Sequence, residues 1–307
     1  MRKTLVIAFG GNALLQAGEK GTAAEQWANV SRTCKALVPL IKQGHNIVIG
    51  HGNGPQVGNE LLRQSAGKSQ YGLEEMPMDF CVAETQGSIG YMIELALLNE
   101  GIDRQVVTLL SPVVVDEDDK AFQNPTKPVG PYYKEKQEGF KEDPKGNGWR
   151  KVVASPAPKQ ILHSELIKQL SSTGTIVITV GGGGIPVVVQ SDGKYKSVEA
   201  VIDKDLASAL LAQEIGADEL YILTDVPNAC INFRQENEQV LNGITLEQAK
   251  KYLDEGHFKE GSMAPKIRAA IKFASGVNRR SIITTAANLD GGTRIANNEY
   301  STDTDVS

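Results

Sequence analysis

Three short apolar runs that end directly in glycine constrain this chain more than any other feature. Leu5 to Phe9 leads into Gly10-Gly11-Asn12. Ile47 to Gly50 leads into His51-Gly52-Asn53-Gly54-Pro55, and Ile176 to Val180 into Gly181 to Gly184 followed by Ile185-Pro186. Short β-rich runs alternating with longer stretches of helical periodicity are the pattern of an α/β fold, a mainly parallel sheet with helices on its faces. Predicted strands are 4–9, 46–50, 105–109, 175–180, 219–224 and 281–285. Trp27, Val30, Cys34, Leu37, Val38 and Ile41 recur at spacings of three and four and form one helical face. Similar stripes run through Ile161, Leu162, Leu166, Ile167 and Leu170, then Leu206, Leu210, Leu211 and Ile215, with another helix near 81–98. In a parallel sheet all three glycine junctions fall at carboxyl ends of strands, where α/β proteins bind ligands and backbone N–H groups can approach an anion.

Composition narrows the possible functions. With 307 residues the chain buries about 75% of its unfolded surface, enough for a full core without disulfide or metal staples. A formal net charge of -5 opposes sequence-independent binding to nucleic acid or to an anionic membrane. Cys34, Cys81 and Cys230 are far apart and lack metal-site spacing, which suits a reducing compartment and a cytoplasmic protein. The uncharged stretch Gln169 to Ser191 holds five glycines and Pro186, too many unsatisfied backbone groups for a membrane span.

Residues 116–151 interrupt the alternation. They carry 16 charged residues in 36, yet also five of the 17 aromatics, which a disordered loop would lack. Phe122, Tyr132, Tyr133, Phe140 and Trp149 predict a small protruding subdomain with its own core. Lys127, flanked by prolines in Asn124-Pro125-Thr126-Lys127-Pro128, is expected on a stiff loop at its edge. Lys204, in Asp203-Lys204-Asp205, and Lys266, after Ser262 and Pro265, fall near helix starts. Cations there oppose the macrodipole unless a polyanion is bound; otherwise an Asp caps the helix and the lysines point to water. No Walker A loop is present, and the Gly52-Gly54-Gly58 spacing lacks a ribose-binding acid at the end of a second strand, so a nicotinamide oxidoreductase is a weak alternative.

The strings VIAFGGNALL, GHGNGPQVG, AETQGSIGYM, NPTKPVGP, VVASPAPKQI, VITVGGGGIP, AVIDKDLASALLA, ILTDVPNACINF and EGHFKEGSMAPKIRAAIKF resemble carbamate kinase, of the amino acid kinase superfamily. The resemblance runs from residue 4 to about 285. It departs at TTAANLDGGTRI, which replaces a longer final helix, and at STDTDVS, which resembles no family element. The resemblance implies a three-layer αβα sandwich, a homodimer, Mg2+ held mainly by nucleotide phosphates and water, and interconversion of ATP plus carbamate with ADP plus carbamoyl phosphate. It implies an acceptor lobe over 1–200, including the subdomain 116–151, and a nucleotide lobe over 201–307. By matching motif, Gly10, Gly11, Asn12, Gly52, Asn53 and Gly54 would bind the acceptor. Lys127, Lys204, Asp205 and Lys266 would be catalytic, with Asp205 organising the lysine ammoniums. Gly182, Gly183, Thr224, Asp225, Val226, Ala229, Met263 and Lys266 would line the nucleotide. Use in arginine or other nitrogen catabolism follows from the same resemblance.

That chemistry needs no general base, because carbamate arrives ionised and phosphoryl transfer rests on alignment and charge stabilisation. Among the four histidines only His51, beside the glycines, merits attention, with an ordinary hydrogen-bonded role favoured. A sister kinase for another carboxylate and a sensor without turnover stay open at this point.

Overall fold

The computed structural model describes residues 2–16, 18–142 and 148–297; the side chains of Asn12 and Pro131, and the ending STDTDVS, lie outside the described residues. In chain order, β1 (Thr4–Phe9) leads through a single 3-10 turn at Gly11–Ala13 to α1 (Ala23–Lys42), β2 (Asn46–His51), α2 (Gly54–Tyr71), α3 (Met78–Asn99) and β3 (Val106–Thr108). Next come β4 (Pro112–Val115), α4 (Lys120–Gln123), β5 (Lys127–Tyr133), β6 (Phe140–Glu142), β7 (Trp149–Val153), β8 (Pro158–Ile161), α5 (Ser164–Ser172) and β9 (Ile176–Ile178). The remainder is β10 (Ile185–Val189), β11 (Tyr195–Ser197), α6 (Lys204–Glu214), β12 (Glu219–Leu223), β13 (Cys230–Ile231), β14 (Gln239–Val240), β15 (Gly243–Thr245), α7 (Leu246–Asp254), α8 (Met263–Ala274), β16 (Arg280–Thr284) and β17 (Thr293–Ala296).

The eight-stranded main sheet has the order β15-β17-β16-β12-β1-β2-β9-β3. All six strands expected from the sequence lie in it side by side, every adjacent pair among them parallel. The period of two sorts its side chains. Leu5, Ile7 and Phe9 join Ile47, Ile49, Ile176 and Ile178 on the face covered by α1 and α3, with Val30, Cys34, Leu37, Ile89 and Ile93. Val6, Val48, Val177, Leu220 and Ile222 face Leu211, Ile267 and Phe273 of α6 and α8. The result is the three-layer αβα sandwich. α1 opens on a capping box between Thr22 and Glu25.

Three local expectations are corrected. Ile161 ends strand β8 rather than opening a helix, because it lies in register with Val113 of β4, its amide donates to the Glu214 carboxylate, and its side chain enters the core beneath a four-stranded sheet, order β11-β10-β4-β8. Lys127 is the first residue of strand β5, paired with Val153, and not part of a loop. The protruding segment is a three-stranded sheet, order β5-β7-β6, whose aromatic cluster is smaller than expected. Tyr133 and Phe140 meet edge to face at 5.1 Å between centroids and Lys136 stands over Trp149, but Phe122 packs on the main core and Tyr132 is exposed. Val129 and Val153 root the sheet instead, against Val57, Met78 and Val82.

Phe273 is fully buried on α8, seven residues beyond Lys266. Phe273→Ala should cost about 3–5 kcal/mol of unfolding free energy in a denaturant titration; a loss under 1 kcal/mol would mean that α8 is not anchored through this ring.

Candidate active site

Parallel neighbours bring the ends of β1, β2 and β9 to one edge of the sheet, so their three glycine junctions converge there. They form one wall of a cleft of about 290 Å³; α6, α8 and the root of β5 form the other. Gly11, Gly52, Asn53, Gly54, Gly182, Lys127, Lys204, Asp205 and Lys266 all line it. Gly52 is a close approach: a Cβ there would stand 3.3 Å from Lys204 Cδ, crowding the stem that carries the ammonium.

Asp203 caps α6, its Oδ1 accepting from the amides of Asp205 and Leu206 at 2.9 and 3.3 Å. This cap starts the helix at Lys204 and turns Asp205 inward. Asp205 is 3% exposed and accepts from both lysines, Lys204 Nζ on Oδ1 at 2.5 Å and Lys266 Nζ on Oδ2 at 2.9 Å. Lys266 reaches it from the fourth residue of α8, a helix with no acidic residue in its first turn and no side-chain cap. Lys127 donates from β5 to the other oxygen of Asp203 at 3.1 Å. Three cations from three elements therefore converge on two carboxylates of one helix start. Burial alone would raise the Asp205 pKa, but the two ammoniums and their hydrogen bonds override it and hold it at about 2. Burial, with the like charge of Lys266, lowers that of Lys204 against the pull of Asp205.

The glycine wall is backed by buried, uncharged side chains. His51 donates from Nδ1 to the Gly52 carbonyl at 3.0 Å, and burial pushes its pKa down to about 4, so it is uncharged at neutral pH. A Cβ on Gly181 would meet His51 Nε2 at 2.4 Å, so glycine alone fits beside that ring. Asn53, 7% exposed, donates from Nδ2 to Thr85 Oγ1 at 2.9 Å. Gln86 Nε2 donates to the Gly181 carbonyl at 2.8 Å and its Oε1 accepts from the Ser111 amide at 3.0 Å. The sequence reading did not single out Thr85 and Gln86. Their one signal is a polar pair in the AETQGSIGYM stretch of a helix whose inward side is otherwise largely apolar.

Most of the other expected residues sit apart from these lysines. Gly10, Thr224 and Asp225 line a neighbouring cavity of about 460 Å³ with Arg32 and Thr33. A Cβ on Gly10 would stand 2.4 Å from the Leu223 carbonyl, so this glycine closes β1 onto β12. Gly183 is behind the wall, where a Cβ would meet the Ile202 carbonyl at 2.3 Å, and Gly182 lies on the Asn53 amide. Ala229 is fully buried and donates its amide to Thr293 Oγ1, Val226 is half-buried, and Met263 packs on the main core from the first turn of α8. The Asn12 side chain lies outside the described residues. A larger cavity, about 500 Å³ between α2 and the protruding sheet, contains none of the three lysines.

Among the described residues no three His, Cys, Asp or Glu side chains are grouped to hold a metal, and both cleft carboxylates are engaged by lysines. Such a donor set suits a magnesium ion that arrives on phosphate oxygens and keeps its waters.

The profile of the amino acid kinase family matches residues 3–285. The carbamate kinase of Pyrococcus furiosus is 50% identical over 296 residues, covering 92% of this chain and 94% of that protein. Carbamate kinase 1 of Enterococcus faecium is 50% identical over 302 residues, covering 94% and 95%. The solved carbamate kinase of Giardia lamblia bound to AMP-PNP superposes with a TM-score of 0.89 at 41% identity, over 97% of this chain and 99% of that one.

Because the folded Asp205 titrates below its ordinary 3.8, its contribution to stability is complete above about pH 4 and fades as pH falls toward 2. Asp205→Asn strands two buried ammoniums and should remove about 3–5 kcal/mol of unfolding free energy at pH 7. An unchanged denaturation midpoint would mean that the lysines are held by something else.

Proposed function

The chain belongs to the amino acid kinase family and, within it, to the carbamate kinases; from that premise we propose that the cleft around Asp205 transfers a phosphoryl group between ATP and carbamate, giving ADP and carbamoyl phosphate. The observation that carries this reading is one carboxylate organising Lys204 and Lys266 opposite the glycine junctions, with Lys127 entering from the protruding sheet.

Lys204 and Lys266 bind nucleotide phosphates, and their charge offsets what builds on the oxygens in flight. Gly11, Gly52, Asn53 and Gly54 hold the acceptor, with Gly10 and Asn12 in the same junction. Carbamate is already an anion and no proton has to leave it, which matches a cleft beside which His51 is neutral and committed to a carbonyl. Magnesium, bound on the nucleotide phosphates, neutralises part of their charge. Residues 1–200 act as the acceptor lobe and 201–307 as the nucleotide lobe. The nucleotide extends from the lysines over the end of β12 toward Thr224, Asp225, Val226, Ala229 and Met263, with Gly182 at its phosphate end and Gly183 supporting that turn from behind the wall. The working direction makes ATP from carbamoyl phosphate, in arginine or other nitrogen catabolism.

A homodimer is the proposed assembly. Phe80, Tyr91 and Leu98, spaced by eleven and seven, are large apolar residues exposed on one face of α3, a helix that packs on the edge strand β3. The free thiols Cys34, Cys81 and Cys230 accord with a cytoplasmic setting, and the net charge of -5 with small-molecule partners rather than nucleic acid or membrane. No helix among the described residues is long and apolar enough to cross a membrane.

The protein should form ATP from ADP and carbamoyl phosphate in a magnesium-dependent way, above a protein-free control for spontaneous breakdown. Lys127→Ala should lower turnover by about 10²- to 10³-fold while ADP affinity stays within twofold. No ATP above the control refutes the activity, and an equal loss of ADP affinity refutes the role given to Lys127.

A further inference from the structure

We infer that Thr85, which does not line the cleft, is a positioning residue that fixes which way the Asn53 amide faces and so gives the site its preference for a carbamoyl group. The inference rests on the carbamate kinase reading above.

A carbamoyl group differs from an acetyl group in carrying two N–H donors where the latter has a methyl. Recognising that difference requires a hydrogen-bond acceptor. The cleft is otherwise rich in donors. Both oxygens of Asp205 are taken by Lys204 and Lys266, and those of Asp203 by the α6 cap and Lys127. Gln56 also lines the cleft, but its carbonyl oxygen is enclosed away from solvent. Among the side-chain acceptors lining the cleft, Asn53 Oδ1 remains, accepting from no described residue.

An asparagine amide turned over would present NH2 there and repel the N–H groups it should bind. Thr85 decides the orientation. Its hydroxyl donates to the Val82 carbonyl at 2.7 Å, one turn back on α3, so the oxygen offers only lone pairs to its other neighbour. Asn53 must then point Nδ2 at Thr85, as it does at 2.9 Å, and turn Oδ1 away. Gly182 presses on the amide, where a Cβ would lie 2.2 Å from Nδ2 and 2.4 Å from Oδ1, so the group has little room to swing. Thr85 itself is 1% exposed. The route is thus helix carbonyl to hydroxyl, hydroxyl to amide, amide to substrate.

Thr85→Val keeps the shape and removes the hydroxyl; Thr85→Ser keeps the hydroxyl. ATP formation from ADP should show kcat/KM for carbamoyl phosphate falling about 10- to 100-fold in Thr85→Val, the penalty of one unpaired buried polar group. ADP affinity and the inhibition constant of acetyl phosphate, which offers no N–H, should both stay within twofold of wild type. Thr85→Ser should retain carbamoyl phosphate kcat/KM within about threefold. Three results would overturn the inference: a normal kcat/KM in Thr85→Val, an equal loss in Thr85→Ser, or parallel loss toward acetyl phosphate. Wild-type protein that makes no ATP would overturn the reading beneath it as well, whereas wild-type activity with an indifferent Thr85→Val sinks this inference alone.

Discussion

Two ammonium groups cannot remain charged together beneath a protein surface unless a carboxylate stands between them, and in this chain Asp205 does so for Lys204 and Lys266. An ammonium and a carboxylate 4 Å apart attract by about 4 kcal/mol at an effective dielectric of 20. That is of the order of the several kcal/mol lost in desolvating each ion, so the trio is close to balanced until a polyanion joins it. Much of the architecture serves that trio. Asp203 starts α6 so that residue 205 faces inward, and α8 packs beside α6 on the same face of the sheet, bringing Lys266 across.

Glycine solves the opposite problem on the other wall. Gly52 clears the stem of Lys204, Gly181 clears His51, and Gly182 lies flat on Asn53, so backbone replaces side chain where reactants must come close. Gly182 does so at a φ of 65°, a region other residues enter at a cost. The two walls are joined by packing of ordinary kind, valines at the root of the protruding sheet against α2 and α3. Lys127 therefore comes into the cleft from a strand rooted on α2 and α3, while the carboxylate it meets belongs to the helix that carries Lys204.

The central layer was legible because parallel strands are short and apolar; six such runs could be read directly, three of them running straight into glycine. The second sheet was not, since β4 and β10 are valine runs without glycine at their ends and β8, which reads Pro158-Lys159-Gln160-Ile161, has no apolar alternation at all. Two further strands at one end of the main sheet, β15 (Gly243-Ile244-Thr245) and β17 (Thr293-Arg294-Ile295-Ala296), escaped because neither contains an apolar run. In the site, the lysines and glycines stood out through position and composition. The pairing of Lys127 with Asp203 spans 76 residues and no local pattern encodes it. Thr85 and Gln86 were hidden for a related reason: a buried polar residue in a helix looks like any helical polar residue until its partner, 32 or 95 residues away, is known. Thr224 and Asp225, by contrast, followed from motif alone, and the fold sets them on the far side of Gly10 from the lysines.

The most direct measurement is a crystal structure of the protein with magnesium and AMP-PNP. The account predicts that phosphate oxygens receive hydrogen bonds from both Lys204 and Lys266 while Asp205 still touches each of them. Phosphates seated instead beside Arg32 and Thr224, with the two lysines bound only to Asp205, would contradict it.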